Sequence, residues 1–288
     1  MDNGVKMEKF IDLHTHSNKS DGSLSPAEVV REAKKAGLAA VALSDHDNFD
    51  GVEEAMAEGE KAGIEVIPAI EFSVKSETQN HIIALYPDIH NKELNDFVDE
   101  LRRYRKERNE ETCRRLNSLG FDITLDDVKS IAGSDIIGRA HFGRILYMKG
   151  FVSSIKEAFD LWLGSGKPAY TGANHPDAGR TVEIIRKSGG LSFVAHLNQT
   201  KLSDGDLVKM LTELKSRGLN GVEGYYTEYT PEMQEKYQAM AKDLGLLISG
   251  GSDFHGAAKP HISIGTGTGN LRIPYSVLEN IKKAKEQL

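Results

Sequence analysis

The sequence contains a single cysteine, Cys113. One thiol cannot form an internal disulfide or a cysteine-based zinc cluster, so any metal in this protein must be held by histidines and carboxylates. The absence of disulfides also fits a reducing compartment, and we expect a cytoplasmic protein.

Long apolar runs and an excess of positive charge are also missing. No run approaches the roughly 18 apolar residues that span a bilayer, and polar residues 1–9 lack the apolar core of a signal peptide. The 36 Lys and Arg against 43 Asp and Glu give a formal net charge of −7. This balance argues against broad adhesion to nucleic acid, although bound divalent cations reverse the field locally. No feature indicates a membrane or a stable protein partner.

Short apolar runs alternate with helical patterns, which is typical of βα units and a mostly parallel sheet. Ser25, Pro26 and Glu28 predict the N-terminus of the first helix, as an N-cap, a first-turn proline and a capping-box glutamate. The predicted strands are 10–16, 39–45, 65–74, 81–86, 191–197, 221–226 and 246–252.

Between the fourth and fifth predicted strands, residues 91–166 read as charged helices without a convincing strand. We interpret this block as an insertion in a barrel rather than a tandem domain. The predicted division gives residues 1–87 and 176–288 to the barrel and residues 88–175 to a helical insertion that caps the substrate site. The fold class is therefore α/β, a seven-stranded barrel with a helical insertion.

Metal-ligand residue types recur where these strands end. His14 and His16, two residues apart on an extended chain, point to the same side and can chelate one ion. Because the carboxyl ends of barrel strands form the active face, we expect all such residues to converge there. Nine are too many for one four-coordinate ion and suit two or three, with a bridging carboxylate. They are His14, His16, Asp21, His46, Glu71, His81, His196, Asp253 and His255.

Three neighbouring positions are open to other interpretations. Support of a ligand or turn formation explains Asp45 and Asp47 as well as metal ligation does, and one of these structural roles is favoured. His81 stands at the start of its apolar run, so either that strand begins earlier or the ligand reaches in from an edge.

The order of these motifs resembles the polymerase and histidinol phosphatase (PHP) family of metal-dependent phosphoesterases. The likeness spans nearly the whole chain, and the helical block resembles the insertion of the branch of nucleoside 3′,5′-bisphosphate phosphatases and 5′-to-3′ exoribonucleases. After His196 the family usually has Pro, whereas this chain has Leu197. The motifs are Asp-Leu-His-Thr-His-Ser from Asp12, Ser-Asp-His-Asp from Ser44, Ile-Glu-Phe-Ser from Ile70, Ala195-His196 and Gly-Ser-Asp-Phe-His-Gly from Gly251.

The resemblance implies a distorted seven-stranded barrel with three divalent ions. One ion would take His14, His16, Glu71 and Asp253, a second Glu71, His81 and His196, and a third Asp21, His46 and His255. Manganese, iron and zinc all accept such ligands, and the sequence does not select among them. The residues expected to act in catalysis are His14, His16, Glu71, His196, Asp253 and His255.

One stretch of the insertion, residues 138–144, also carries chemistry. Arg139 and His141 open a helical pattern, where a guanidinium, an imidazole and free backbone N–H groups can hold a phosphate. The family branch implies that these two side chains grip the substrate's phosphate. His175 is a further candidate at the same mouth. The basic segment 102–106 could follow an RNA backbone, but the surrounding glutamates favour a solvated helix face.

The favoured function is hydrolysis of a phosphate ester of a nucleotide or short 5′-phosphorylated oligonucleotide by a metal-bound hydroxide. The step to a nucleotide leans on the resemblance, through Arg139 and His141 as a second phosphate anchor. The partner would be a small phosphorylated molecule or short RNA. Two alternatives stay open: a histidinol-phosphate phosphatase, and a metal-binding module without catalysis.

Overall fold

The structure is a computed structural model that describes residues 8–75, 80–132, 137–172 and 175–288. In these residues eight strands form one sheet whose order is β7-β6-β5-β4-β3-β2-β1-β8. The strands are β1 (Phe10–Thr15), β2 (Ala40–Leu43), β3 (Glu65–Ser73), β4 (His81–Leu85), β5 (Leu191–Val194), β6 (Gly221–Tyr226), β7 (Leu247–Gly251) and β8 (Ile273–Pro274).

The sheet curls into a nearly closed barrel. β1 and β7 are not adjacent in the sheet order, yet backbone bonds join the segments at their carboxyl ends: the Asp253 N–H donates to the His14 carbonyl (2.9 Å), and the His16 N–H to the Phe254 carbonyl (2.8 Å). The predicted count of seven strands was wrong. The eighth, β8, is a two-residue strand that pairs antiparallel with β1 and was too short to leave a periodic pattern.

One strand runs against the expected direction. β4 is antiparallel to both β3 and β5, whereas β1, β2 and β3 are parallel to one another, as are β5, β6 and β7. The first residue of β4 therefore lies beside the carboxyl ends of its neighbours. This reversal brings His81 to the active face although it begins its strand.

Helices of the barrel pack outside the sheet. Ser25 caps α1 in the predicted capping box with Glu28, because its side chain accepts from the Glu28 N–H while the Glu28 carboxylate accepts from the Ser25 N–H. The barrel helices before the insertion are α1 (Pro26–Lys35) and α2 (Val52–Ala62). After the insertion, whose helices are described next, come α7 (Ala178–Lys187), α8 (Asp204–Ser216), α9 (Pro231–Asp243) and α10 (Tyr275–Lys285).

The segment between β4 and α7 is helical throughout its described elements. These are α3 (Lys92–Ser118), α4 (Leu125–Ala132), α5 (Arg139–Met148), α6 (Ile155–Ala158) and a π-helical turn (Phe159–Leu163). Leu94 and Phe97, near the start of α3, pack in the core under the barrel helices. Leu116, near its end, packs with Phe142 and Leu163 in a separate core. α3 thus links the two cores, and the division at residues 88 and 175 stays a prediction.

Membrane insertion has no candidate helix in the described parts of the chain, since none is both long and apolar enough to cross a bilayer.

Candidate metal centre

Glu71 is the middle of the candidate site. It lies in the buried second half of β3, and each of its oxygens faces different imidazoles. Oε1 lies 2.9 Å from Nδ1 of His81 and 3.0 Å from Nε2 of His196. Oε2 lies 3.3 Å from Nε2 of both His14 and His16. A carboxylate so placed can bridge two ions.

A second group of donors adjoins the first. Nε2 of His255 lies 3.2 Å from Asp21 Oδ1, and Nε2 of His46 lies 3.8 Å from Asp21 Oδ2. The ring of His16 stacks on that of His255 with centroids 4.1 Å apart. Nδ1 of His46 also lies 3.0 Å from Glu71 Oε2, so this group is continuous with the one around the glutamate. Eight of the nine candidate ligands therefore lie in one connected cluster.

Asp253 completes the cluster from the β7 side. Its Oδ1 lies 3.3 Å from Nε2 of His16 and 3.6 Å from Nε2 of His14. Its Oδ2 accepts hydrogen bonds from Lys259 Nζ (2.7 Å) and the Tyr226 hydroxyl (3.0 Å). Because those two donors hold one oxygen, the other is left facing the histidines. The sequence did not single out Lys259 or Tyr226.

The spacing of the donors fits metal ions. Nε2 of His14 and Nε2 of His16 lie 3.1 Å apart, as do Nδ1 of His81 and Nε2 of His196. Donors that share an ion at about 2.0–2.1 Å are separated by about 3.0–3.4 Å. Among the described residues, buried atoms without a hydrogen-bond partner include Nδ1 of His46 and Oε2 of Glu71. Lone pairs that face each other without a proton donor are what a shared cation would satisfy.

Charge in the cluster shifts several pKa values. Burial by itself lowers the pKa of His16, but the neighbouring carboxylates of Asp253 and Glu71 raise it to about 9. Burial lowers the pKa of His46 to about 3. Burial would raise the pKa of Glu71, yet the charges of His46 and His14 hold it well below its ordinary value. The metal-free cluster thus keeps protons on some imidazoles to balance its carboxylates.

Three residues of the site have strained backbone. Asp47, His196 and Asp253 adopt φ values of 45°, 29° and 58°, in a region that non-glycine residues seldom occupy. Such outliers persist only where the surroundings fix them, and they cluster at functional sites. The strain at His196 and Asp253 coincides with the ends of β5 and β7, where the chain turns each side chain toward the cluster.

Glu223 is a site residue that the sequence analysis missed. It is fully buried in the middle of β6, where its Oε1 accepts from Nδ1 of His14 (2.9 Å) and its Oε2 from the His196 N–H (2.7 Å). The first contact fixes the His14 tautomer so that Nε2 faces Glu71 and Asp253. A charged residue inside an otherwise apolar and aromatic strand was the available signal.

Two of the three candidate phosphate-binding residues lie in the first turn of α5. Arg139 is the first residue of α5 and its guanidinium lies over the Tyr170 ring, 5.3 Å from the centroid. His141 is buried, and its Nδ1 accepts from the Gly138 N–H (3.0 Å). Burial lowers the pKa of His141, which also lies in the field of Asp21. Burial lowers the pKa of His175 to about 3, opposed by Asp47 and assisted by Arg105.

The expectation that the basic segment 102–106 forms a solvated helix face is wrong for one residue, Arg105. Arg105 is 9% exposed; its Nε donates to Asp47 Oδ2 (2.7 Å), its Nη2 bonds the same oxygen, and its Nη2 also donates to Ser73 Oγ (3.0 Å). Asp47 also accepts from the Ser73 N–H. This network joins α3 to the ends of β2 and β3, and it favours a supporting role for Asp47 over turn formation alone. Asp45 likewise accepts from the backbone and hydroxyl of Ser17.

Comparisons with known proteins agree with this geometry. The PHP domain model matches residues 12–165, more than half of the chain. A 5′-3′ exoribonuclease of Haemophilus influenzae is 33% identical over 250 residues, which cover 86% of this chain and 91% of the relative. A 3′,5′-nucleoside bisphosphate phosphatase of Chromobacterium violaceum is 30% identical over 85% of this chain and 87% of its own length.

A solved structure is similar over nearly the full length. It is described as a metal-dependent phosphoesterase from Bifidobacterium adolescentis, with a TM-score of 0.83, 28% identity and coverage of 95% of each chain. The fold, the matched domain and the full-length relatives point the same way, and the chain belongs to the PHP domain family.

Proposed function

We propose that the protein is a metal-dependent phosphoesterase that hydrolyses a phosphate ester of a nucleotide or of a short 5′-phosphorylated oligonucleotide. The observation that carries this proposal is the placement of Glu71, whose two oxygens face different imidazoles, two at Oε1 and three at Oε2. The relatives from H. influenzae and C. violaceum, named for RNA and for nucleoside bisphosphates, support the substrate class.

The donor set fits three divalent ions of the manganese, iron or zinc type. His14, His16, Glu71 and Asp253 would hold one, Glu71, His81 and His196 a second, and Asp21, His46 and His255 a third. Such ions supply Lewis-acid charge for a phosphoryl group in transfer and lower the pKa of water so that a nucleophile is available near neutral pH.

The surrounding residues prepare the ligands and the substrate. Lys259 and Tyr226 hold Asp253 by one oxygen, and Glu223 holds His14 by Nδ1. Arg139, at the start of α5, would bind a phosphate that is not cleaved, with His141 beside it. Residues 88–175 would then form a cap that carries this second anchor over the barrel, in a cytoplasmic enzyme.

Metal analysis with a panel of esters tests the proposal. Purified protein should contain divalent metal and should hydrolyse adenosine 3′,5′-bisphosphate or 5′-phosphorylated RNA far better than histidinol phosphate. Preference for histidinol phosphate would support the first alternative. Full metal occupancy without turnover of any ester would support the non-catalytic module.

Arg139→Ala tests the nucleotide assignment separately. Losing one charged hydrogen-bonding group costs about 1.5–3 kcal/mol, so kcat/KM for adenosine 3′,5′-bisphosphate should fall roughly 10- to 150-fold. p-Nitrophenyl phosphate has no second phosphate, so its hydrolysis should change much less at equal metal content. Equal losses on both substrates would mean that Arg139 serves the reacting phosphate or the fold.

A further inference from the structure

Arg108 is a buried cation for which the described residues offer no carboxylate. It lies one turn after Arg105 on the same face of α3 and is only 9% exposed. Its Nη2 donates to the Asn109 side-chain oxygen (2.8 Å) and to the Ile137 carbonyl (2.7 Å), and its Nε to the same asparagine oxygen (3.2 Å). All of these acceptors are neutral, so they hydrogen-bond the guanidinium of Arg108 without balancing its positive charge.

The contrast with Arg105 is direct. The charge of Arg105 is paired with Asp47, whereas the next cation along the helix face meets further positive charge. Burial lowers the pKa of Arg108 to about 9, and the charges of Arg105 and Arg139 lower it further than Asp47 can offset. A buried guanidinium without a counter-ion is costly, since charges are ordinarily buried as pairs.

The position of Arg108 points to the missing counter-ion. Its bond to the Ile137 carbonyl places the guanidinium beside the segment that leads into α5, next to Gly138 and Arg139. In the described residues Arg139 has no ion pair either, and its guanidinium lies over the Tyr170 ring. The two guanidinium groups come from different helices and lie close enough for the charge of Arg139 to act on Arg108. The charge of Arg108 in turn acts on His141 and His175. An oxyanion between the two guanidinium groups would satisfy both, in the forked geometry that such groups use for phosphate.

We propose that Arg108 binds the phosphate of the substrate that is not cleaved, and that with Arg139 it forms a two-arginine clamp for a nucleotide phosphate. This inference rests on the proposed function, because the clamp is useful only to a substrate with a second phosphate. Arg108 is a specificity residue here and takes no part in bond cleavage. Its hydrogen bond to Ile137 holds the segment before α5 in place when the clamp is empty.

Arg115 provides a matched control for the structural role of the hydrogen bond between Arg108 and Ile137. Arg115 lies two turns further along α3 and also ties the helix to the insertion. Its Nη1 donates to the backbone carbonyl of Tyr170 (2.6 Å). Its charge, however, is paired with Glu111. Arg115→Gln therefore reports what a loosened insertion does by itself, including any effect through Tyr170 on Arg139.

The experiment compares Arg108→Gln and Arg115→Gln with equal metal content and folding checked by circular dichroism. Arg108→Gln should lower kcat/KM for adenosine 3′,5′-bisphosphate by about 10- to 150-fold, mainly through KM, and should change p-nitrophenyl phosphate hydrolysis less than threefold. Inhibition of p-nitrophenyl phosphate hydrolysis by adenosine 5′-monophosphate should weaken by a similar factor. Arg108→Lys keeps the charge but not the forked guanidinium. Its kcat/KM for adenosine 3′,5′-bisphosphate should therefore lie between those of the wild type and of Arg108→Gln.

The possible failures are distinguishable. If the wild-type enzyme does not prefer the bisphosphate over p-nitrophenyl phosphate, the proposed function fails and the clamp fails with it. If the wild type shows that preference but Arg108→Gln and Arg115→Gln lose it equally, or Arg108→Gln loses both substrates equally, Arg108 is a structural residue and only the clamp is overturned. Should Arg108→Gln not fold, the same criteria apply to Arg108→Lys.

Discussion

Glu71 and Glu223 are two buried glutamates of the candidate metal centre, and they contact its histidines in different ways. Glu71 presents both oxygens to ring nitrogens that have other ring nitrogens beside them. Glu223 instead contacts Nδ1 of His14 and a backbone N–H, and leaves Nε2 of His14 free for the cluster. The first arrangement suits a ligand, and the second suits a residue that positions a ligand.

Glu71→Gln should separate the charge of this residue from its shape. The amide fills the same space but removes the negative charge that the proposed bridge between two ions requires, so both metal content and turnover should fall. Metal analysis after dialysis and initial rates on a phosphate ester measure the two effects. Unchanged stoichiometry and rate would contradict the bridging role.

Glu223→Gln should weaken metal binding without removing a ligand. Loss of a carboxylate that orients a ligating histidine typically costs 10- to 100-fold in metal affinity, and we expect that range in a competition titration with a chelator. Glu228→Gln is the matched control, because Glu228 lies just after β6 and accepts hydrogen bonds from Asn198 and Gln199, neither of which is a candidate ligand. Equal affinity in the two variants would argue that Glu223 only fills space.

The raised pKa of His16 predicts a pH dependence for the metal-free protein. A folded-state pKa of about 9 against an ordinary 6.5 means that this stabilisation is complete below about pH 6.5 and is lost as pH rises through 9. The free energy of unfolding in chelator should therefore fall by up to about 3 kcal/mol across this window. Metal affinity should rise over the same range, since a ligating imidazole must be neutral.

Urea unfolding at pH 6, 7.5 and 9 measures the first trend, and metal titration at each pH the second. His16→Gln serves as the control, because without this imidazole the slope between pH 6.5 and 9 should flatten. A wild-type protein whose metal-free stability rises steadily to pH 9 would rule out a protonated His16.

Residue types at strand ends could be predicted because they follow recognisable apolar runs, as His14, Glu71 and His196 do. Glu223 and Arg105 could not be placed in the same way. Their roles come from contacts with β1, β2 and β3 that are distant in sequence, and no spacing within β6 or α3 encodes those contacts. Which candidate ligands share which ion stays a prediction.

Among the elements, β4 shows what a sequence pattern leaves out. Its limits were predicted within one residue, but alternation of side chains has no direction and is the same for parallel and antiparallel pairing. The reversal of β4 was therefore invisible, and His81 stood at what looked like the wrong end. A local signal did better, since the capping box predicted the start of α1.

Phe142→Ala tests whether the insertion has a core of its own. Phe142 is fully buried among insertion residues, so the substitution should cost about 3–5 kcal/mol. Amide hydrogen exchange should quicken in α4 to α6 and leave β1 to β7 protected. Phe193→Ala, in the barrel core, is the reciprocal control. Equal acceleration in barrel and insertion would indicate one cooperative unit instead of the predicted division.

At the scale of the whole molecule, the insertion and the barrel contribute different chemistry. The barrel carries every candidate metal ligand, and α3 and α5 carry the arginines around the entrance. Arg105 ties the two parts together through Asp47. A cap fixed by an ion pair at the edge of the centre is expected to keep its arginines at a constant distance from the reacting phosphate, and so to select substrates by the separation of their phosphates.

The seam between β1 and β7 joins candidate ligands that are far apart in the sequence. His14 and His16 are synthesised before Asp253 and His255, which come after β7. An ion shared across this seam would act as a clip that closes a loop of more than 200 residues, where a cross-link restricts the unfolded chain most. A polypeptide that stops short of residue 253 can build much of the barrel yet cannot close the clip. Metal retention is thus expected only of a chain that extends past residue 255.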